Sequence, residues 1–293
     1  MADGASLIRS IEAPIALQQH PRFAAAMLSI GGETVVMETA TGPLLGLQRR
    51  VGPLAFRLYS RASLTPQDGR DLGHDRGAFE GIAVTPETAM DIDGFLPVMG
   101  PAHVTEWNLD PSPAALRRAL AGTWRNGLKK AERAGLHFDI SPPNRAALDG
   151  LFAADRRHQR YRGFRALPHA FAAAYTALPG DPAWFVRVRT KEGRALAVAL
   201  ILLHPPGASY HLATATAEGR AVGAPRFLLW ETALALREAG YLRLDLGPVD
   251  SDRAKGLLRF KAGTGAAIRS LGPTLFAGPL TPMIDRLRQA ANR

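Results

Sequence analysis

The chain has 293 residues, 46% of them hydrophobic and 21% charged, with a formal net charge of +10. This composition excludes a disordered chain and leaves room for two domains with substantial cores. The absence of cysteine excludes disulfides, thiolate nucleophiles and Cys-bound metals, and no apolar run reaches the roughly 18 residues of a membrane span.

The first ten residues lack a charged stretch followed by an apolar one, so a cytoplasmic protein is expected. Arginine supplies most of the positive charge, since only Lys129, Lys130, Lys191, Lys255 and Lys261 are lysines. Two readings stay open: a coding bias in a GC-rich genome, or anionic partners such as RNA, coenzyme A or lipid headgroups. The second includes contact with a membrane surface.

In chain order, the pattern predicts a short helix over 21–30 and strands over 33–38, 44–50 and 54–60. A polar, Gly/Asp-rich loop is expected over 65–77 and a strand over 97–109. Asp110-Pro-Ser-Pro113 then reads as a helix start, with Ser112 as N-cap. Helices follow over 114–121 and 122–134, a strand over 136–140, and helices over 144–160 and 169–178.

Three strands come next, over 184–191, 194–203 and 209–214. Pro225 and Gly240 bracket a strong helix over 226–239. A strand over 241–246, a short helix over 253–260, a strand over 268–271 and a tail helix over 282–291 complete the series. This is an α+β arrangement with mixed sheets flanked by helices. The division is expected at 108/109, giving a shorter domain over 1–108 and a catalytic one over 109–293.

Two segments carry chemistry. In the first, Asp245 ends an alternating strand that stops at Gly247-Pro248, and Phe260-Lys261 precedes the Gly-rich bend Gly263-Thr-Gly265. A carboxylate at a strand end and a lysine beside an aromatic suit a charged acyl donor. In the second, Trp124, Leu128 and Ala131 form an apolar stripe at i, i+4, i+7. Arg125, Lys129 and Arg133, with Lys130 beside them, form a basic ridge on another face; it reads either as a phosphate contact or as a solvated surface.

The run Trp124-Arg-Asn-Gly-Leu-Lys-Lys-Ala-Glu-Arg-Ala-Gly-Leu136 resembles the R-N-x-x-K-A-E-K-x-G-L helix of FemAB-type transferases. Those enzymes add amino acids from aminoacyl-tRNA to peptidoglycan precursors. Other matches keep the family's order: Ala16-Leu-Gln-Gln-His-Pro-Arg-Phe23, Arg162-Gly-Phe164, Ala224 to Glu231, Gly240 to Gly247, and Gly256-Leu-Leu-Arg-Phe-Lys261. The resemblance implies two GNAT-like (N-acetyltransferase-like) domains, here without the long coiled-coil arm of bridge-building members.

It also implies that Lys261 stabilises the developing oxyanion, with Phe260 beside it. Asp245 is a candidate base, as are Asp250 and Asp252, for which a turn or capping role is the plainer reading. An amine, either small or on a peptidoglycan precursor, would be the acceptor, held by Arg162, Tyr161, Tyr210 and His211. Donor phosphate would lie at the turn formed by Arg220, Gly223, Ala224 and Arg226.

An acyl-CoA-dependent N-acyltransferase is the alternative, because Arg220 and Gly223 have the spacing of a GNAT pyrophosphate turn, although Pro225 offers no amide. A non-catalytic RNA- or anion-binding protein is the reading from another class. Neither a permanently bound cofactor nor a metal is expected: the donor, aminoacyl-tRNA or acyl-CoA, is a co-substrate, and the eight histidines lack ligand spacing.

Overall fold

The computed structural model describes residues 13–162, 167–249, 255–279 and 281. Two compact units divide the chain: one comprises 18–103 with the residues from 269 onward, the other 104–268 with the residues up to 17. The sequence placed the division at 108/109. The single strand expected over 97–109 is in fact two, and they belong to different sheets.

The first unit holds α1 (Pro21–Ser29), β1 (Glu33–Thr39), β2 (Gly42–Val51), β3 (Leu54–Ala62), α2 (Pro66–His74), β4 (Glu80–Pro86) and β5 (Leu96–Met99). Its sheet has the order β1-β2-β3-β4-β13-β5, where β13 (Thr274–Ala277) arrives from the far end of the chain. β3 and β4 are parallel and the other described pairs antiparallel. Leu44, Tyr59, Ile82, Val84 and Leu275 pack on one face beneath Leu72 of α2. The segment expected as a loop over 65–77 is therefore helical. Thr65 and Asp68 form a reciprocal capping box, and Pro66 occupies the first turn.

The second unit runs β6 (His103–Asn108), α3 (Pro113–Ala119), α4 (Gly122–Arg133), β7 (His137–Ser141), α5 (Arg145–Arg162), α6 (His169–Thr176), β8 (Ala183–Arg189), β9 (Ala195–His204) and β10 (Gly207–Ala215). It continues with α7 (Ala217–Val222), α8 (Ala224–Glu238), β11 (Arg243–Val249), α9 (Lys255–Ala262) and β12 (Ala267–Ser270). The sheet order is β12-β6-β11-β10-β9-β8-β7. β9 is almost wholly apolar and buried, as a central strand covered on both faces must be.

The predicted stripe Trp124, Leu128 and Ala131 is buried and seats α4 beside α8 in one core cluster. α4 and α8 approach closely at two glycines. A Cβ on Gly223 would lie 2.7 Å from the Gly127 carbonyl, and one on Gly127 would lie 2.8 Å from Arg226 Cδ. The tail helix expected over 282–291 lies outside the described residues.

Candidate active site where two parallel strands part

β10 and β11 pair in parallel over three positions only, Gly207–Arg243, Ala208–Leu244 and Ser209–Asp245. Both strands run on, to Ala215 and Val249, without pairing further. At the same level the β9–β10 register shifts between Tyr210 and Leu212, so His211 is the extra residue of a bulge. A ladder that ends while its strands continue leaves a wedge with unpaired backbone on both sides, into which a substrate can be laid.

Alternation places Asp245 at this wedge. Leu244 and Leu246 are buried in the cluster shared with α4 and α8, so the residue between them projects from the opposite face. Asp245 Oδ1 accepts a 2.6 Å hydrogen bond from the Gly247 amide. Gly247 has φ +79, a conformation that suits glycine and bends the strand end away.

Lys261 is held against that bend. It is only 6% exposed, and its Nζ donates a 2.8 Å hydrogen bond to the Pro248 carbonyl. Burial pulls its ammonium down from 10.5 to about 8, while the charge of Asp245 opposes the shift.

Three anchors fix the lysine's backbone. Trp124 Nε1 donates to the Phe260 carbonyl at 2.9 Å, with the two rings 6.2 Å apart. Thr264 Oγ1 donates to the Lys261 carbonyl at 2.7 Å, and the Ala121 amide to the Gly263 carbonyl at 2.9 Å. A Cβ on Gly263 would sit 2.6 Å from Trp124 Cδ1, so the bend must be glycine to lie flat on the indole. Phe260 thus ties α9 to α4.

Other expected site residues are dispersed. Tyr210 packs toward the α8 face, and burial raises its phenol well above the usual value. His211 was expected to help hold the acceptor. Its ring instead meets Phe171 of α6 edge-on, at 6.0 Å. Desolvation lowers His211 to about 4, against an upward pull from Asp155 and with a further downward push from His169. It is therefore neutral at physiological pH. Tyr161 and Arg162 end α5, and their side chains, like Asp250 and Asp252, lie outside the described residues.

At the expected phosphate turn, Arg220 belongs to α7 and donates to the Ala215 carbonyl at 2.6 Å. The amides of Arg226 and Phe227 donate to the Gly223 carbonyl, and Ala224 is fully buried.

The basic ridge is divided. Arg125 Nη2 donates to the carbonyls of Arg118 and Leu120, closing the end of α3, and Lys130 donates to the Ala221 carbonyl. Lys129 and Arg133 are exposed.

Sequence reading missed the pair Asp155–His169, 2.8 Å apart, with Gln159 donating to the same carboxylate oxygen. The pair is 14 residues apart across a helix junction, so no short motif announces it. Among the described residues no cluster of three His, Cys, Asp or Glu could hold a metal, and no helix is long and apolar enough to cross a membrane.

A family comparison matches residues 118–262 to the acetyltransferase (GNAT) domain. No curated protein matches the sequence. Among solved structures the chain is similar to FemX, at 13% identity, with TM-score 0.75 over 97% of this chain and 98% of that one. It is also similar to the C-terminal domain of a putative lysylphosphatidylglycerol synthetase from Agrobacterium fabrum, at 17% identity, TM-score 0.54, over 90% and 88%. A tandem GNAT protein of the clavulanic acid biosynthesis pathway aligns at 14% identity, TM-score 0.51, over 93% and 92%.

Fold and site thus define an acyltransferase built from two GNAT-like units. Residues 118–262 match a GNAT acetyltransferase domain, and the chain as a whole has a fold similar to that of FemX, without a long coiled-coil arm among its described residues.

Proposed function

We propose that this protein transfers an aminoacyl group from aminoacyl-tRNA to an amine acceptor of the peptidoglycan-precursor kind. The observation that carries the proposal is the buried Lys261 ammonium where β10 and β11 part. As the amine attacks the ester carbonyl, a C–N bond forms and negative charge gathers on oxygen. The ester C–O bond then breaks and the sugar hydroxyl departs with a proton. With its ionisation near 8, Lys261 is about nine-tenths charged at neutral pH, so the required cation is present. A positioned donor of this kind contributes roughly 3–4 kcal/mol to the oxyanion-like transition state.

The attacking amine must be neutral, and Asp245 is the carboxylate at hand to take its proton. Phe260 holds the lysine through its contact with Trp124. Lys129 and Arg133 are open to tRNA phosphates, and the acceptor is assigned to the His211 side of the wedge.

The acyl-CoA reading draws on the acetyltransferase description of residues 118–262. Against it, Arg220 is engaged with the Ala215 carbonyl, Pro225 has no amide, and Gly223 is pressed on α4. Transfer assays with charged tRNA and with acetyl-CoA, each with wild type and Lys261→Met, separate the two. Turnover from charged tRNA that the substitution abolishes supports the proposal. Turnover from acetyl-CoA alone replaces it with the coenzyme reading, and salt-sensitive tRNA binding without turnover leaves an RNA-binding protein.

A further inference from the structure

The hairpin of β2 and β3 in the first unit ends in Val51-Gly52-Pro53-Leu54, where Val51 pairs with Leu54. Paired residues share a face, so Leu47 with Leu58, Arg49 with Phe56, and Val51 with Leu54 line one side of the hairpin. Val51 is 55% exposed, Leu54 37%, Phe56 38% and Leu58 39%. Phe79 joins them at the same end of the sheet and is 66% exposed; its carbonyl accepts from the Ala55 amide. An apolar group of this size is uncommon on a protein that meets only water.

Charge surrounds this group on one side of the ledger only. Residues 42–62 contain Arg49, Arg50, Arg57 and Arg61 and no acidic residue. Arg57 is held by Asp75 and Glu80, and Arg61 pairs with Glu87. Arg49 and Arg50 are exposed and have no ion pair among the described residues. Of the acidic groups around the hairpin, Asp75 and Glu80 are paired with Arg57, and Glu33, opposite Gln48 on β1, accepts from the Gln48 side-chain amide.

We infer that this end of the first unit is a docking surface for an anionic lipid bilayer. Val51, Leu54, Phe56 and Phe79 enter the interface, Arg49 on the same face meets the headgroup phosphates, and Arg50, on the opposite face of the hairpin end, adds to the positive charge. The pairing of an apolar hairpin end with two exposed arginines favours an anionic lipid surface, whereas a nucleic acid would need a broader basic face. The inference is independent of the donor assigned to the second unit.

The test is flotation of the full chain with vesicles of phosphatidylglycerol and phosphatidylcholine in equal parts, and with phosphatidylcholine alone. Wild type is expected to float with the anionic vesicles, and less at high salt. The double variant Leu54→Ser/Phe79→Ser should bind on the order of tenfold more weakly, for the loss of two apolar side chains. Arg49→Ser/Arg50→Ser should remove the preference for anionic lipid. All four positions are exposed, and an unchanged thermal transition confirms that the variants fold.

Absence of binding to either vesicle overturns the inference, as does binding that the apolar substitutions leave unchanged. Sedimentation is run alongside: a dimer or a tRNA complex lost in the same variants, without vesicle binding, would also overturn it and reassign the face.

Discussion

Replacing Lys261 with methionine is expected to make the protein more stable and inactive. The ammonium ionises near 8 in the folded chain against 10.5 when exposed, because burial disfavours its charge. Below about pH 8 the lysine is charged in both states, and folding bears the full desolvation cost. Between about 8 and 10.5 the folded protein gives up the proton while the unfolded chain keeps it, so stability rises with pH; above 10.5 the cost is gone. A difference of about 2.5 pK units corresponds to roughly 3 kcal/mol at pH 7.

Methionine removes that cost and loses the charged ammonium's bond to the Pro248 carbonyl, worth about 1.5–3 kcal/mol. A net gain of up to about 2 kcal/mol at pH 7 follows. Urea unfolding at pH 7 and pH 10 reads it out: wild type should gain about 2–3 kcal/mol between the two relative to the variant. Turnover should fall by about 10²–10³-fold. A variant less stable than wild type at pH 7, or one with the same pH dependence, refutes the account of Lys261 as a buried cation kept for chemistry.

Other outcomes are expected at the anchors. Trp124→Phe loses the donor to the Phe260 carbonyl and should cost about 1 kcal/mol in urea unfolding, with a larger proportional loss of kcat. Gly263→Ala meets Trp124 at 2.6 Å and the Arg259 carbonyl at 2.9 Å, so about 1–3 kcal/mol of destabilisation is predicted; a neutral result would show that the bend can relax. Asp155→Asn removes the charge that pulls His211 upward, so imidazole NMR should find His211 titrating below about 4. An upward movement would contradict the placement of Asp155 near that ring.

The elements that carry the candidate site were legible because their signals are local. Trp124, Leu128 and Ala131 announced their buried face by spacing alone, and Gly240, Gly247 and Gly263 punctuated strand and helix ends. The helix Pro66–His74 was read as a loop because it is polar. Its buried face is small, Gly69 and Leu72 beside the Thr65–Asp68 box, and the box was visible in the letters. The strands His103–Asn108 and Thr274–Ala277 were misjudged for another reason. Which sheet a short strand joins is settled by packing across the whole chain.

The basic ridge was legible as a face of α4 but not in its partners. Spacing placed Arg125 and Lys130 on the surface side of α4, but the carbonyl ends of α3 and α7 claimed both groups. Nothing within α4 itself records where those carbonyls lie.

The return of the chain to β13 has a consequence for how the protein is made. β13 lies between β4 and β5, so β5 reaches the rest of its sheet only through a strand roughly 175 residues later in sequence. A ribosome finishes the second unit's strands before it releases the piece that completes the first. The first unit therefore waits, part-built, through synthesis of the second, and a message truncated after β12 yields an acyltransferase core beside an unfinished sheet. Closure of that sheet therefore has to wait until Thr274–Ala277 has been synthesised.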